Sequence, residues 1–350
     1  MTTTTIDRPK ATAIAWGPLL WIAGLHLGAL LALVPAFFTW KALLVCLVLH
    51  WVTGSIGICM TYHRLLTHRS FATRPRWLEY VLTGIGCMAS EGGAIGWVAD
   101  HRRHHAHSDD EHDAHSPNRG FGWAHMFWWM TPDITSIHTC DYYEKWAPDL
   151  VKDPVHRVLD KIHILFPILS AVVLYAIGGM PWLVWGFFVR SIFVLHTTWL
   201  VNSATHIWGY RPHDTRDTST NLWWVALLTY GEGWHNNHHA FQTSARHGLR
   251  WWEFDMTYCA IRLMSFVGLT YNLKLPKVRQ AAVNLRDKAA HAADKAAQAA
   301  VLAKDRATQA AAVAADRAAQ AAAAAQAAAK AACASTLRHD GEHELLGATN

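Results

Sequence analysis

The chain has 350 residues, 52% hydrophobic and only 16% charged, with 19 Trp, 24 His and a net charge of +5. Charged residues make up about a quarter of an ordinary soluble domain, so this composition argues against a water-soluble protein, and the modest charge argues against a nucleic-acid binder. The cysteines at positions 46, 59, 87, 140, 259 and 333 form no C-x-x-C pair and no ferredoxin-like spacing, which argues against a disulfide framework and a thiolate cluster.

In chain order, a polar head (MTTTTIDRPKATA) leads into the first apolar run, Trp16–Phe38. That run is too long for a signal-peptide core and is followed at once by a second, so it is expected to be retained. The second run is Ala42–Tyr62, and two more follow at Ile162–Met180 and Leu183–Val201. Each approaches the roughly 20 residues that cross a bilayer. The links at Thr39–Lys41 and Pro181–Trp182 are so short that each pair of runs is expected to form a transmembrane hairpin. Arg8, Lys10, Arg64, Arg69, Arg74, Arg76, Arg211 and Arg216 crowd the opposite ends, so both termini and the 63–161 segment are expected on the cytoplasmic side. Val81–Ala99 is apolar but carries Ser90, Glu91 and glycines, and is expected to lie in the interface. From about Gln280 to Ala334 the chain is mostly alanine with an eleven-residue step (Asp294, Asp305, Asp316). This predicts a long, weakly amphipathic helix.

The histidines fall into three clusters beside these runs. His63 and His68 stand in HRLLTH, His101, His104 and His105 in HRRHH, and His235, His238 and His239 in HNNHH. On a helix, positions i, i+3 and i+4 share a face, so each H-x-x-H-H triplet is expected to aim three imidazoles at one point. His63 and His68 are five apart and converge only if the helix ends or distorts there. Eight imidazoles exceed one structural zinc site, and neutral imidazole suits zinc, copper, iron and nickel, so two metals are expected. The clusters begin where the spans end, unlike a transporter's midplane site, and no H-E-x-x-H peptidase motif occurs.

With HRLLTH, HRRHH and HNNHH in view, together with NRGFGWAH, NSATHIWGYRP and GEGWHNNHHAF, the sequence resembles the membrane fatty acyl desaturases, most closely their delta-9 branch. The resemblance runs from about Trp16 to Pro276. It implies an all-α membrane protein, with four transmembrane helices in two hairpins and a cytoplasmic helical cap over residues 1–276. The alanine-rich tail, 277–350, has no counterpart in that pattern. It also implies a di-iron centre held by nine histidines, adding His206 to the eight, with Asn202 reaching one metal through water; zinc may replace iron in an overexpressed sample. Asp100, Asp113, His115 and Glu232 flank the boxes as candidate partners of the ligands.

Removing hydrogen from unactivated methylenes needs an oxidant rather than a base, and a metal centre that binds oxygen supplies one. The reaction implied is insertion of a cis double bond, at carbon nine in this branch, into an acyl-CoA or acyl-lipid chain. It uses O2 and two electrons from ferredoxin or cytochrome b5 with its reductase. Hydroxylation by the same centre is the alternative outcome, and a non-enzymatic metal binder or transporter is the reading of a different class. Trp51, Ser55 and Cys59, at steps of four before His63, are expected to line the acyl tunnel. In the stearoyl-CoA desaturases an aromatic twelve residues before the first-box histidine closes the tunnel, and here that offset falls on Trp51.

Overall fold

A computed structural model of the chain describes residues 14–131, 137–276, 294–311 and 313–321. The polar head with Arg8 and Lys10, and both ends of the alanine-rich segment, lie outside the described residues. Contacts divide the chain into two units, Met1–Arg279 and Gln280–Asn350. Within the second, residues 294–311 and 313–321 are helical and exposed, as alanine's helix propensity and lack of bulk dictate.

The first unit is almost wholly helical. Among the described residues, three helices are long and apolar enough to cross a membrane: Trp16–Leu33, Trp40–Thr67 and Leu165–His206. The first ends earlier than its apolar run. Regular α-helix stops at Leu30, and Val34 turns extended ahead of Pro35, because a residue before proline is pushed out of the helical region. Thr39 then starts the second helix two residues earlier than expected, its Oγ1 accepting from Ala42 N at 3.0 Å, an N-cap of the usual kind. The third helix breaks at Gly179 (φ 61°, ψ −155°), a backbone state that glycine adopts without strain. The chain reverses there: a Cβ on Gly186 would lie 3.2 Å from Leu174 Cδ1. In one straight helix those residues would stand roughly 18 Å apart.

The second helix changes character partway. Trp40–His50 is α-helical, and Trp51–Thr67 continues as a π-helix. Side chains follow the wider spacing, Thr61 Oγ1 donating to Ile56 O at 2.7 Å and Thr67 Oγ1 to Tyr62 O at 2.8 Å. The apolar stretch 81–99 is divided between two helices, Trp77–Cys87 and Ala94–His107. The first packs on the π-helix so closely that a Cβ on Gly86 would overlap the Tyr62 ring. The main apolar core, including Ile58, Met60, Leu65, Leu82, Val98 and Leu150, lies between these helices and the cap segment that follows. A small antiparallel ribbon pairs Ala72–Thr73 with Thr270–Tyr271, tying the chain after the first histidine box to the chain after the third.

Candidate metal centre

The nine histidines that sequence singled out converge, and they do so in two groups. His63, His68, His101, His105 and His238 bring one nitrogen each within 4.8 Å of one another, and so do His104, His206, His235 and His239. The triplets therefore do not each aim at one point, as expected, but divide. His101 and His105 go to the first group and His104 to the second; His235 and His239 go to the second and His238 to the first. Helix geometry gives the reason. At about 100° per residue, i+4 lies about 40° to one side of position i and i+3 about 60° to the other, so an H-x-x-H-H box serves two centres at once. The groups adjoin, with the rings of His105 and His239 4.7 Å apart.

Convergence of His63 and His68 comes from the π-helix. His68 N donates to His63 O at 3.1 Å, the i→i+5 bond that defines the form, and the two rings stand 4.8 Å apart. His206 enters from a 3₁₀ turn, Ala204–His206, at the end of the Arg190–Ser203 helix. Asn202, one turn earlier, lines the adjoining cavity with His235.

The donor chemistry fits metal ions. Nε2 atoms face one another at 3.0 Å (His63 and His238), 2.9 Å (His238 and His105), 3.1 Å (His105 and His101) and 3.1 Å (His235 and His206). Neighbouring ligands on an ion with metal–nitrogen bonds of about 2.1 Å would stand roughly this far apart. His68 Nε2 and His239 Nε2 are buried with no hydrogen-bond partner, a cost that a native fold avoids unless something binds there. Burial, and then the neighbouring imidazoles, hold His68, His101, His105, His235 and His238 well below the usual imidazole range. They are thus neutral, the form that ligates.

Carboxylates orient the rings from behind. His63 Nδ1 meets Glu232 at 2.7 Å, His104 Nδ1 meets Asp113 at 3.0 Å, His206 Nδ1 meets Asp109 at 3.1 Å and His239 Nδ1 meets Asp217 at 2.6 Å. Each contact turns Nε2 inward, the arrangement seen behind metal-bound histidines. Glu232 and Asp113 stand where the sequence suggested. His115 packs its ring 4.4 Å from His104, beside Asp113. Asp100 does not touch a histidine of either group among the described contacts; it accepts from Tyr142 OH at 2.7 Å and pairs with His138 at 2.8 Å. One helical step before His101, its side chain points out of the cluster rather than behind it.

Sequence reasoning missed Asp109, Asp217, His247 and Arg64. Asp109 sits in the acid-rich stretch after HRRHH, but only its left-handed backbone (φ 66°) turns it toward His206. Asp217 comes from a polar loop with no motif. Arg64 is fully buried and pairs with Glu232 at 2.9 Å and Asp255 at 3.0 Å, while His247 meets Glu232 at 2.9 Å. Arg64 therefore holds the first box to the third and is not a surface charge of the kind that sets membrane orientation.

A cavity of about 310 Å3 opens beside both groups, reached by His63, His101, His115 and His235 and walled by Ile58, Cys59, Trp97, Leu195, Trp199 and Leu228. Of the three residues expected along an acyl tunnel, Cys59 lines this cavity. Among the described lining residues Ser55 and Trp51 are absent: the Ser55 hydroxyl is spent on Thr257 at 3.1 Å, and Trp51 is 38% exposed on the outer side of the helix. Tyr230 also lines the cavity, its hydroxyl bonded to His50 Nδ1 and its ring against Gly54. Tyr230 holds a left-handed backbone (φ 58°), rare for a bulky residue and a mark of imposed geometry.

The family described as fatty acid desaturase matches residues 38–271. The chain is 48% identical over 282 residues to an sn-1 stearoyl-lipid 9-desaturase of Anabaena variabilis, covering 80% of this chain and 100% of that protein. It is 46% identical over 264 residues to an sn-2 palmitoyl-lipid 9-desaturase of Nostoc sp., covering 75% and 91%. A third relative, an acyl-CoA C20 Delta5-desaturase of Anemone leveillei, is 45% identical over 258 residues, covering 74% and 81%.

Proposed function

The chain belongs to the fatty acid desaturase family, and from that premise we propose that it inserts a cis double bond at carbon nine of a stearoyl or palmitoyl chain esterified in a membrane lipid. The observation that carries this reading is the pair of buried histidine groups opening on an apolar cavity. The names of the two bacterial relatives support acyl-lipid and position nine over the acyl-CoA alternative.

In this reading the two groups hold two irons, with His63, His68, His101, His105 and His238 at one and His104, His206, His235 and His239 at the other, and Asn202 reaching the second through water. Bound there, the irons would supply the O2-dependent oxidation of two adjacent methylenes, with two electrons from ferredoxin or cytochrome b5. The chain's own residues do the rest. Glu232, Asp113, Asp109 and Asp217 hold the imidazoles in one tautomer. Trp97, stacked 5.0 Å from His101, and the aliphatic wall exclude water and align the acyl chain. With the cavity ending at Tyr230, its depth sets the length of chain accepted, while the double-bond position is counted from the headgroup end.

The reversal at Gly179 supports reading the third apolar helix as two spans, so that four spans form two hairpins; the basic residues at positions 69, 74, 76, 211 and 216 support placing both termini and the boxes on the cytoplasmic side. The test is mass spectrometry of total fatty acids after expression in a host lacking monounsaturates. A carbon-nine alkene is expected; a hydroxylated acid would favour the hydroxylase, and an unchanged profile would overturn the enzyme reading.

A further inference from the structure

Glu91 is a carboxylate of the cavity wall that meets neither a histidine nor a cation among the described contacts. It lies between the Trp77–Cys87 and Ala94–His107 helices, is 8% exposed, and lines the cavity beside Cys59, Trp97 and Thr198. Its Oε1 accepts from Thr198 Oγ1 at 2.7 Å and its Oε2 from Trp97 Nε1 at 3.0 Å. Both donors are neutral. Glu232, by contrast, meets Arg64, His63 and His247.

The groups around it do not supply a counter-charge. From the second membrane helix, Cys59 donates to Thr229 O at 3.4 Å and Tyr62 to Cys87 Sγ at 3.2 Å. From the Ala94–His107 helix and the cap, Asp100 is paired with His138, and Asp160 accepts from Ile95 N. Tyr143 and His163 stand farther along the same cavity. From the Arg190–Ser203 helix, Arg190 donates from Nη1 to Met88 O at 2.7 Å and from Nε to Gly186 O at 3.2 Å, its Nη2 having no hydrogen-bond partner, and no contact joins it to Glu91 among the described residues. Burial pushes the Glu91 carboxyl up to about 7, the Thr198 and Trp97 hydrogen bonds only partly opposing it.

We propose that Glu91 takes up a proton when the acyl chain enters, so that lipid binding is coupled to protonation of the tunnel wall. The inference rests on the acyl-desaturase reading above. An empty cavity admits water to the carboxylate, whereas a bound alkyl chain removes it, and a charged group stripped of water without a partner is costly. Protonated Glu91 keeps its hydrogen bonds: Trp97 still donates to one oxygen, and the acid O–H donates to Thr198 Oγ1, whose own hydrogen turns to a carbonyl one helical turn back.

The test is KM for a stearoyl lipid, measured with iron-loaded full-length enzyme in nanodiscs between pH 6 and 9. For the wild type, KM should rise by about tenfold per pH unit above neutrality, as one linked proton requires. In Glu91→Gln the slope should vanish, and in Glu91→Asp it should persist. Infrared difference spectra on adding the lipid at pH 8 should show a protonated-carboxyl band in the wild type that Glu91→Gln lacks. The same pH slope in Glu91→Gln, or no such band in the wild type, would overturn the coupling. A band without any desaturated product would instead overturn the enzyme reading and leave the coupling standing.

Discussion

His105 and His238 face each other with their Nε2 atoms 2.9 Å apart, while the residues next to them, His104 and His239, belong to the other group. Adjacent histidines in a box thus serve different centres. Replacing His238 by alanine should cost the first group its metal, and replacing His104 should cost the second. Each variant should fall from close to two metals per chain toward one, measured by elemental analysis, and both should lose turnover while still inserting in the membrane. Full activity in either variant would refute the two-centre assignment.

The π-helical register sets the first box. Deleting Leu66 changes the His63–His68 spacing from five to four. On an α-helix four is the favoured ligand spacing, but here the chain is wound so that five converge. The deletion should therefore lose metal from the first group rather than tighten it. Retention of two metals and activity would show that the winding is not needed.

The carboxylates behind the rings offer a graded test. Asp217→Asn and Asp109→Asn each remove a partner of an imidazole Nδ1, and such changes typically lower metal affinity by about 10–100-fold. Asp100→Asn, whose partners are Tyr142 and His138, should leave metal content near that of the wild type. Competition with a chelator measures all three on one scale. Equal losses would mean that Asp100 acts through a contact the geometry does not give it.

What the sequence carried, and what it did not, divides along physical lines. Apolar length and histidine spacing are local, so the membrane segments and all nine converging histidines were legible in the chain or in its resemblance to a family. The π-helix was not, because Trp51–Thr67 has the composition of any membrane helix and its winding is settled by packing of Gly57 and Tyr62 on Gly86. Asp109 and Asp217 were hidden for another reason: they reach His206 and His239 from loops, and no periodicity links a loop acid to a helix terminus far along the chain.

Orientation can be read with a single thiol. Asp110 is exposed and lies just after the second box, so the proposed topology puts Asp110→Cys inside the cell. The exposed Cys140 and Cys259, and Cys333 near the end of the alanine-rich segment, should first be changed to serine. A membrane-impermeant maleimide applied to intact cells should then leave position 110 unlabelled until the membrane is opened. Ready labelling of intact cells would reverse the orientation.

Chain length should be set at Tyr230 rather than at Trp51. Thr197 and Gly54, which flank Tyr230 on the cavity wall, are each nine residues from a converging histidine, His206 and His63. On the α-helical side that separation is roughly 13 Å. An extended chain advances about 1.3 Å per carbon from C–C bonds near 1.52 Å, so the eight carbons beyond carbon ten of a stearoyl chain need about 10 Å. The closed end therefore suits eighteen carbons with little to spare. Tyr230→Ala removes the ring and should raise the share of twenty-carbon product several-fold. Gly54→Ala places a methyl 3.3 Å from the Tyr230 ring and should shift the product toward sixteen carbons. Trp51→Ala, altering an exposed outer face, should change neither. The double bond should stay at carbon nine throughout, because position is counted from the headgroup end. Gas chromatography of products from mixed saturated lipids reads all three variants, and an unaltered chain-length profile in Tyr230→Ala with desaturation intact would place the end of the tunnel elsewhere.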